Sequence, residues 1–153
     1  MLILIGQAPN CHNDERHALE GRIGARLCRL FGCQEEDYLK WTQRFNVLPR
    51  WPGKTGKGDK FPLALARQNA RRMRYSLAGC HVMFVGVATA KVFGVTHIPF
   101  RWVKVEIAEH NVGSFSAAVV PHPSGVNMWW NLECNKNKAR RFMCRAWINH
   151  ARR

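Results

Sequence analysis

The sequence predicts an α/β fold: a three-layer α/β/α sandwich around a central, mostly parallel four-stranded sheet, in a single domain over residues 1–153. Three observations carry this. Short, continuous apolar runs at Leu2–Ile5, His81–Val85 and Ala117–Val120 read as strands buried on both faces. Each run stops at a turn residue: Gly6, Gly86 or Pro121. Stretches with helical spacing of apolar residues lie between them. With 46% apolar residues in 153, the chain can bury a proper core.

In chain order, Leu2–Ile5 is expected to be central and to feed the turn Gly6-Gln7-Ala8-Pro9-Asn10. A strand, a glycine turn and then a helix place a site at a strand's carboxyl end. A helix is predicted over His17–Leu30, with Leu19, Ile23, Leu27 and Leu30 inward and Gly32 as its C-cap. Glu35–Trp41 reads as a short second helix, and Arg44–Leu48, carrying Asn46, as a short strand. Pro49–Pro62 is so rich in Gly, Pro and charge that it reads as a loop throughout. Phe61–Leu77 is predicted helical, with Leu63, Leu65, Ala66 and Ala70 inward and Arg67, Arg71 and Arg72 outward. Ala88–Phe93 is a short helix. Arg101–Ile107 alternates as a half-exposed edge strand, and Lys136–Arg152 is a basic helix. Ala117–Val120 runs into Pro121-His122-Pro123-Ser124-Gly125, a stiff loop that presents one His, followed by Trp129 and Trp130. Such a loop suits a flat ring. A plain proline turn beside core tryptophans is the simpler account of the same residues.

The formal net charge is +14 and the pI about 10.3. That excess points to an anionic partner, most simply nucleic acid. A merely solubilising surface would spread its charge. Here seven Lys or Arg and no acid lie between Cys134 and Arg153, and seven basic residues accompany Asp59 alone between Arg50 and Arg72. The six cysteines are scattered without a CxxC, so neither a disulfide framework nor a zinc site is read. Reduced thiols in a cytoplasmic protein fit better. Met1–Ile5 is too short for a signal core or a membrane span, and no membrane association is expected. Trp51-Pro52-Gly53-Lys54-Thr55-Gly56-Lys57-Gly58 lacks the Gly-x4-Gly-Lys-Ser/Thr spacing of a nucleotide-binding P-loop. A cationic loop against a nucleic-acid backbone is the better reading.

Gly6-Gln7-Ala8-Pro9-Asn10 and His122-Pro123-Ser124-Gly125, each at the end of a buried strand, together resemble the two signature motifs of the uracil-DNA glycosylase superfamily. Weaker likenesses lie between and around them. Gly21-Arg22-Ile23-Gly24 is similar to a helix start in the iron–sulfur branch, and Phe45-Asn46-Val47 to the strand end whose Asn reads uracil. Val85-Gly86-Val87-Ala88-Thr89-Ala90 is similar to the third-strand segment. The Trp-Pro-Gly-Lys loop with Trp129-Trp130-Asn131 resembles small, phage-type members, so the likeness spans nearly the whole chain.

The resemblance implies a monofunctional glycosylase that flips a base out of DNA and hydrolyses its N-glycosidic bond. His122 would hydrogen-bond the uracil O2, where negative charge develops. Asn46 would donate to O4 and accept from N3–H, since an amide does both; a strand-end or turn Asn is the alternative. Gly6, Gln7, Ala8, Pro9, Asn10 and Leu19 would line the base pocket, with Gln7 positioned to hold water. Ser124, Gly125, Val126, Asn127 and Met128 would form the loop that wedges into the duplex, and Lys54, Lys57, Lys60 and the C-terminal arginines would track phosphates.

Several positions depart from the family. Ala8 stands at the catalytic Asp position of the main branch, and Gln7 where the iron–sulfur branch has Glu. Leu19 aligns with the stacking Phe, with Trp51, Phe61 or Trp129 as possible substitutes. Asn10 replaces the Tyr that excludes a thymine methyl. The cluster cysteines are absent, so no iron–sulfur cluster, metal or other cofactor is expected. Two alternatives remain beside a monomeric glycosylase acting on uracil or another deaminated or modified base. One is a base-flipping binder that does no hydrolysis, and the other a small basic nucleic-acid binder whose motifs are coincidental.

Overall fold

A computed structural model describes residues 1–9, 18–56, 58–96, 99–107, 113–123 and 127–151, the side chains of 58 and 59 excepted. Its centre is a mixed five-stranded sheet in the order β2-β1-β5-β7-β6. β1 (Leu2–Gly6) is buried along its whole length and pairs in parallel with β2 (Thr42–Asn46) and β5 (His81–Val85). β5 pairs in parallel with β7 (Gly113–Val120), and β6 (Val103–Ile107) closes that edge antiparallel to β7. The α/β class is therefore present, with five strands where four were expected. Both half-exposed edges, β2 and β6, match segments read as strands along the chain, so the five readings are all present and only the expected total of four is short.

Side-chain alternation along β1 divides the core. Ile3 and Ile5, with Val82, Phe84, Ala117 and Val119, face α3 (Leu63–Arg74) and α4 (Val87–Val92). Leu2 and Leu4, with Met83, Val85 and Val120, face α1 (Gly21–Phe31), α2 (Glu35–Trp41) and α5 (Glu133–Ala146). Among the described residues, no helix is long and apolar enough to cross a membrane.

Several details differ from expectation. α1 begins at Gly21, not His17, because Leu19 takes a left-handed backbone (φ 57°) that a right-handed helix cannot contain. It ends at Gly32 as predicted. α3 turns Ala66 and Ala70 inward while Leu63 and Leu65 are each 45% exposed. The buried stripe is made of small residues, which let the helix lie close on the sheet, and the leucines fall outside it. The segment taken for pure loop contains a small antiparallel pair, β3 (Lys54–Thr55) with β4 (Gly58–Asp59). Glycine-rich sequence there marks the turn of a hairpin. α5 begins at Glu133 and gives way at Trp147–Ala151 to a single wider π-helical turn that buries Trp147.

Phe84 is fully buried between Phe93 (centroids 4.8 Å apart) and Phe115 (6.5 Å). Phe84→Ala should therefore lower the unfolding free energy by about 3–5 kcal/mol in urea denaturation, while Phe45→Ala at the exposed edge should cost under about 1 kcal/mol. The Cys33 thiol, near the end of α1, lies 4.0 Å from the Cys28 carbonyl oxygen. Burial, with the Cys28 thiol beside it, pushes the Cys33 thiol up to about 12, whereas Cys134 is exposed. At mildly alkaline pH, iodoacetamide should modify Cys134 at least about tenfold faster than Cys33; equal rates by peptide mapping would contradict this packing.

Candidate functional site

The strand order reverses at β1. The chain leaves β1 for α1 on one face of the sheet, whereas it leaves the neighbouring strand β5 for α4 on the other. Loops diverging from adjacent parallel strands open a crevice at their carboxyl ends, where open α/β sheets bind ligands. Gly6 borders this crevice on one side and Gly86 on the other. Asn46 lies one strand beyond Gly6, and His122 follows the end of β7, one strand beyond Gly86. The four chain ends span three inter-strand steps, about 14 Å of sheet edge.

Gly6, Leu19 and Asn46 meet directly. Gly6 pairs in register with Asn46, and a Cβ on Gly6 would fall 2.6 Å from Asn46 Oδ1 and 2.8 Å from Leu19 Cδ2. Only glycine leaves room there. Leu19 is held in its left-handed conformation from below: Tyr38 Oη donates to its carbonyl oxygen at 2.9 Å, and Gly24 packs against the same oxygen. Arg44, two residues before Asn46, braces the strand. Its Nη1 donates to Thr42 O at 2.9 Å and Leu39 O at 3.1 Å, its Nη2 reaches Glu20 at 3.3 Å, and its guanidinium lies over the Tyr38 ring. Beyond Asn46 the chain stays zipped to the first turn, with Val47 N–H donating to Gly6 O and Leu48 N–H to Gln7 O.

Within this braced corner the Asn46 amide is anomalous. Both Nδ2 and Oδ1 are buried, and neither has a hydrogen-bond partner among the described residues. A buried unpaired polar group costs about 1–3 kcal/mol, so such groups are rare, and one beside a crevice is a candidate ligand contact. A second orphan, Thr89 Oγ1, is buried at the start of α4, beside Gly86. Gly86 itself has φ 120°, which a side chain rarely adopts, and the His122 Cβ stands 3.7 Å from where a Gly86 Cβ would be.

The loop after β7 is pinned through its backbone. His122 O accepts from Trp130 Nε1 at 2.9 Å and from Asn127 Nδ2 at 3.0 Å, and Asn127 Oδ1 caps the short helical turn Met128–Asn131 by accepting from Trp129 N–H. Arg26 Nη1 donates to Pro123 O at 2.6 Å, tying the loop to α1. Asn127 is thus a structural clasp, while Met128 projects with 74% of its surface exposed.

The other expected site residues are dispersed. Gln7 is half-buried at the mouth of the crevice, Ala8 packs against the α3–α4 side of the core, and Pro9 is buried. Lys54 and Lys60 are exposed on and beside the β3–β4 hairpin, with Lys60 N–H closing it onto Gly53 O. Asn10, Lys57, Ser124, Gly125 and Val126 lie outside the described residues. Asn46 also lines a hollow of about 430 Å³ at the β2 edge, with Asn69 and Arg72 of α3. Trp129 stacks on Phe100 (5.3 Å, 28°), away from the Gly6–Asn46 corner. Sequence reasoning missed Tyr38, Arg44 and Thr89. Tyr38 and Arg44 act through contacts with residues distant in the chain, and Thr89 stood only within a quoted segment.

Among the described residues, no group of three or more His, Cys, Asp or Glu could hold a metal ion. No protein-family model matches the chain, and no curated protein sequence matches it.

Asn46→Leu should raise the unfolding free energy by about 1 kcal/mol, because it removes two unpaired polar atoms at nearly constant volume. Gly6→Ala should lower it by about 1–3 kcal/mol through the clash with Asn46 and Leu19. Chemical denaturation of both variants checks this; destabilisation by Asn46→Leu would mean that the amide is satisfied in solution.

Proposed function

We propose that this protein is a DNA N-glycosylase of the uracil-DNA glycosylase type, a monomer that hydrolyses uracil or another deaminated or modified base out of DNA. The observation that carries the reading is the buried, unpartnered Asn46 amide beside Gly6, at a crevice whose other flank is the His122 loop. One donor and one acceptor kept free in a braced corner complement the O4 and N3–H edge of uracil. The parallel strands β2-β1-β5-β7, with helices against both faces, are compatible with the α/β/α sandwich of that superfamily. The net charge of +14 suits a DNA ligand.

In this mechanism the target nucleotide leaves the duplex and its base enters the crevice. Leu19, held by Tyr38, packs beside it, and Asn46 reads its edge. The C1′–N1 bond breaks, its electron pair goes to the base, and the sugar becomes cationic. His122 donates a hydrogen bond to O2, where the charge collects, and the two hydrogen bonds to its own carbonyl hold it in place beforehand. Water then adds to C1′ and its proton passes to the departed base anion, leaving an abasic site and the neutral base. Gln7 can orient that water but cannot take its proton. The apolar Ala8 side chain supplies no base either, so the reaction runs on electrostatic stabilisation of the departing base.

Ala8 is also the specific observation favouring a second reading, a base-flipping binder without hydrolysis, because its methyl packs into the core where a water-activating carboxylate would be needed.

Oligonucleotides with one central uracil, single-stranded or opposite G, separate the two. Wild type should leave alkali-labile sites, and His122→Ala and Asn46→Ala should each cut the rate by about 10²-fold or more. If uracil, hypoxanthine, xanthine and 5-hydroxymethyluracil are all retained, the enzymatic reading fails; tight binding of one of them would then support the binder.

A further inference from the structure

A second cleft, of about 620 Å³, lies on the α1–α5 side of the molecule, behind the His122 loop. Arg26 and Arg29 line it from α1, Lys136 and Arg140 from α5, and Trp130 and Asn131 from the turn between β7 and α5. Spacings of three residues on α1 and four on α5 put each pair on one helix face, with side chains about 5–6 Å apart. Two basic rows therefore face each other across an elongated groove. Among the described residues, no carboxylate lines it. Lys136 is offset by Glu133, 3.0 Å away, but Arg29 and Arg140 pair with no acid among the described residues. Like charges placed together repel, and an anion bound between them relieves that repulsion.

We propose that this cleft binds the sugar–phosphate backbone of a DNA single strand flanking the crevice, with Arg29 and Arg140 as its principal phosphate contacts. Several features favour a strand over a small anion. The cations are spread along two helices instead of converging on one point, and the three arginines are exposed with Lys136 half-buried, so no buried cradle is built for a single ion. Trp130 adds an aromatic wall of the kind that single-strand grooves use. The cleft is joined to the crevice mechanically. Arg26 and Trp130 line it while bonding to Pro123 O and His122 O, so a strand seated there bears on the loop that carries His122. This site shares no residue with the β3–β4 hairpin that carries Lys54. The inference borrows from the proposed function only the choice of DNA as ligand.

Fluorescence anisotropy with an undamaged single-stranded oligodeoxynucleotide tests it, since no base release is needed. Arg29→Gln/Arg140→Gln is compared with Arg67→Gln/Arg71→Gln, which removes equal charge from the exposed face of α3. The first should weaken binding about tenfold at low salt and flatten the plot of log affinity against log salt by about 1.4, while the second leaves the slope near wild type. Arg29→Lys/Arg140→Lys should restore most of the slope, and thermal melts should match throughout. Equal losses in both Gln variants would mean diffuse attraction by net charge and overturn the proposal. So would an unchanged affinity in the first variant, or tighter binding of RNA of the same sequence. If the cleft variant loses binding while wild type releases no base from any substrate, the cleft stands and only the glycosylase reading falls.

Discussion

Parallel pairing of β1 with β2, with Gly6 opposite Asn46, is the constraint on which the rest of the site depends. It brings a residue near the N-terminus and one forty positions later to adjacent places on one sheet edge. A side chain on Gly6 would occupy the space into which the Asn46 amide projects. β1 can hold this register because it is buried on both faces, and a slip of one residue would exchange Leu2 and Leu4 with Ile3 and Ile5 between two differently shaped cores.

The corner built on this pairing is stiff where stiffness serves a site. Tyr38 fixes Leu19 through its carbonyl, and Arg44 ties α2, β2 and Glu20 together. Stabilising contacts surround the amide without satisfying it. The same arrangement recurs on a smaller scale at Thr89, beside the unusual backbone of Gly86. Native proteins tolerate a few such unpaired groups when the surrounding packing over-determines their positions. Of the four described residues with such atoms, Asn46 and Thr89 flank the crevice where the strand order reverses, and the buried Nε atoms of Arg44 and Arg74 are unpaired as well.

Besides the arginines of α3, basic side chains gather in two places. One is the hairpin after β2, and the other the cleft between α1 and α5. Residues in contact with the His122 loop line the cleft, so charge and loop geometry are linked through Arg26 and Trp130. A ligand that occupies the cleft has a direct mechanical route to His122, through hydrogen bonds under 3 Å long.

By itself, the sequence determined the α/β class, the burial of β1, β5 and the end of β7, the Gly32 cap and the position of α2. Each follows from local periodicity or turn chemistry, which neighbouring residues report on their own. It also singled out Gly6 and His122, since glycine turns and polar residues after apolar runs are visible in one dimension, whereas Asn46 stood out only through the family resemblance. Tertiary structure alone decided the start of α1, the outward turn of Leu63 and Leu65, the hairpin within residues 54–59, and the parts played by Tyr38, Arg44 and Thr89. A left-handed Leu19 has no local signature; it exists because Tyr38, from the next helix, reaches its carbonyl. The lack of a partner for Asn46 is likewise a property of everything packed around it, and no stretch of sequence encodes that.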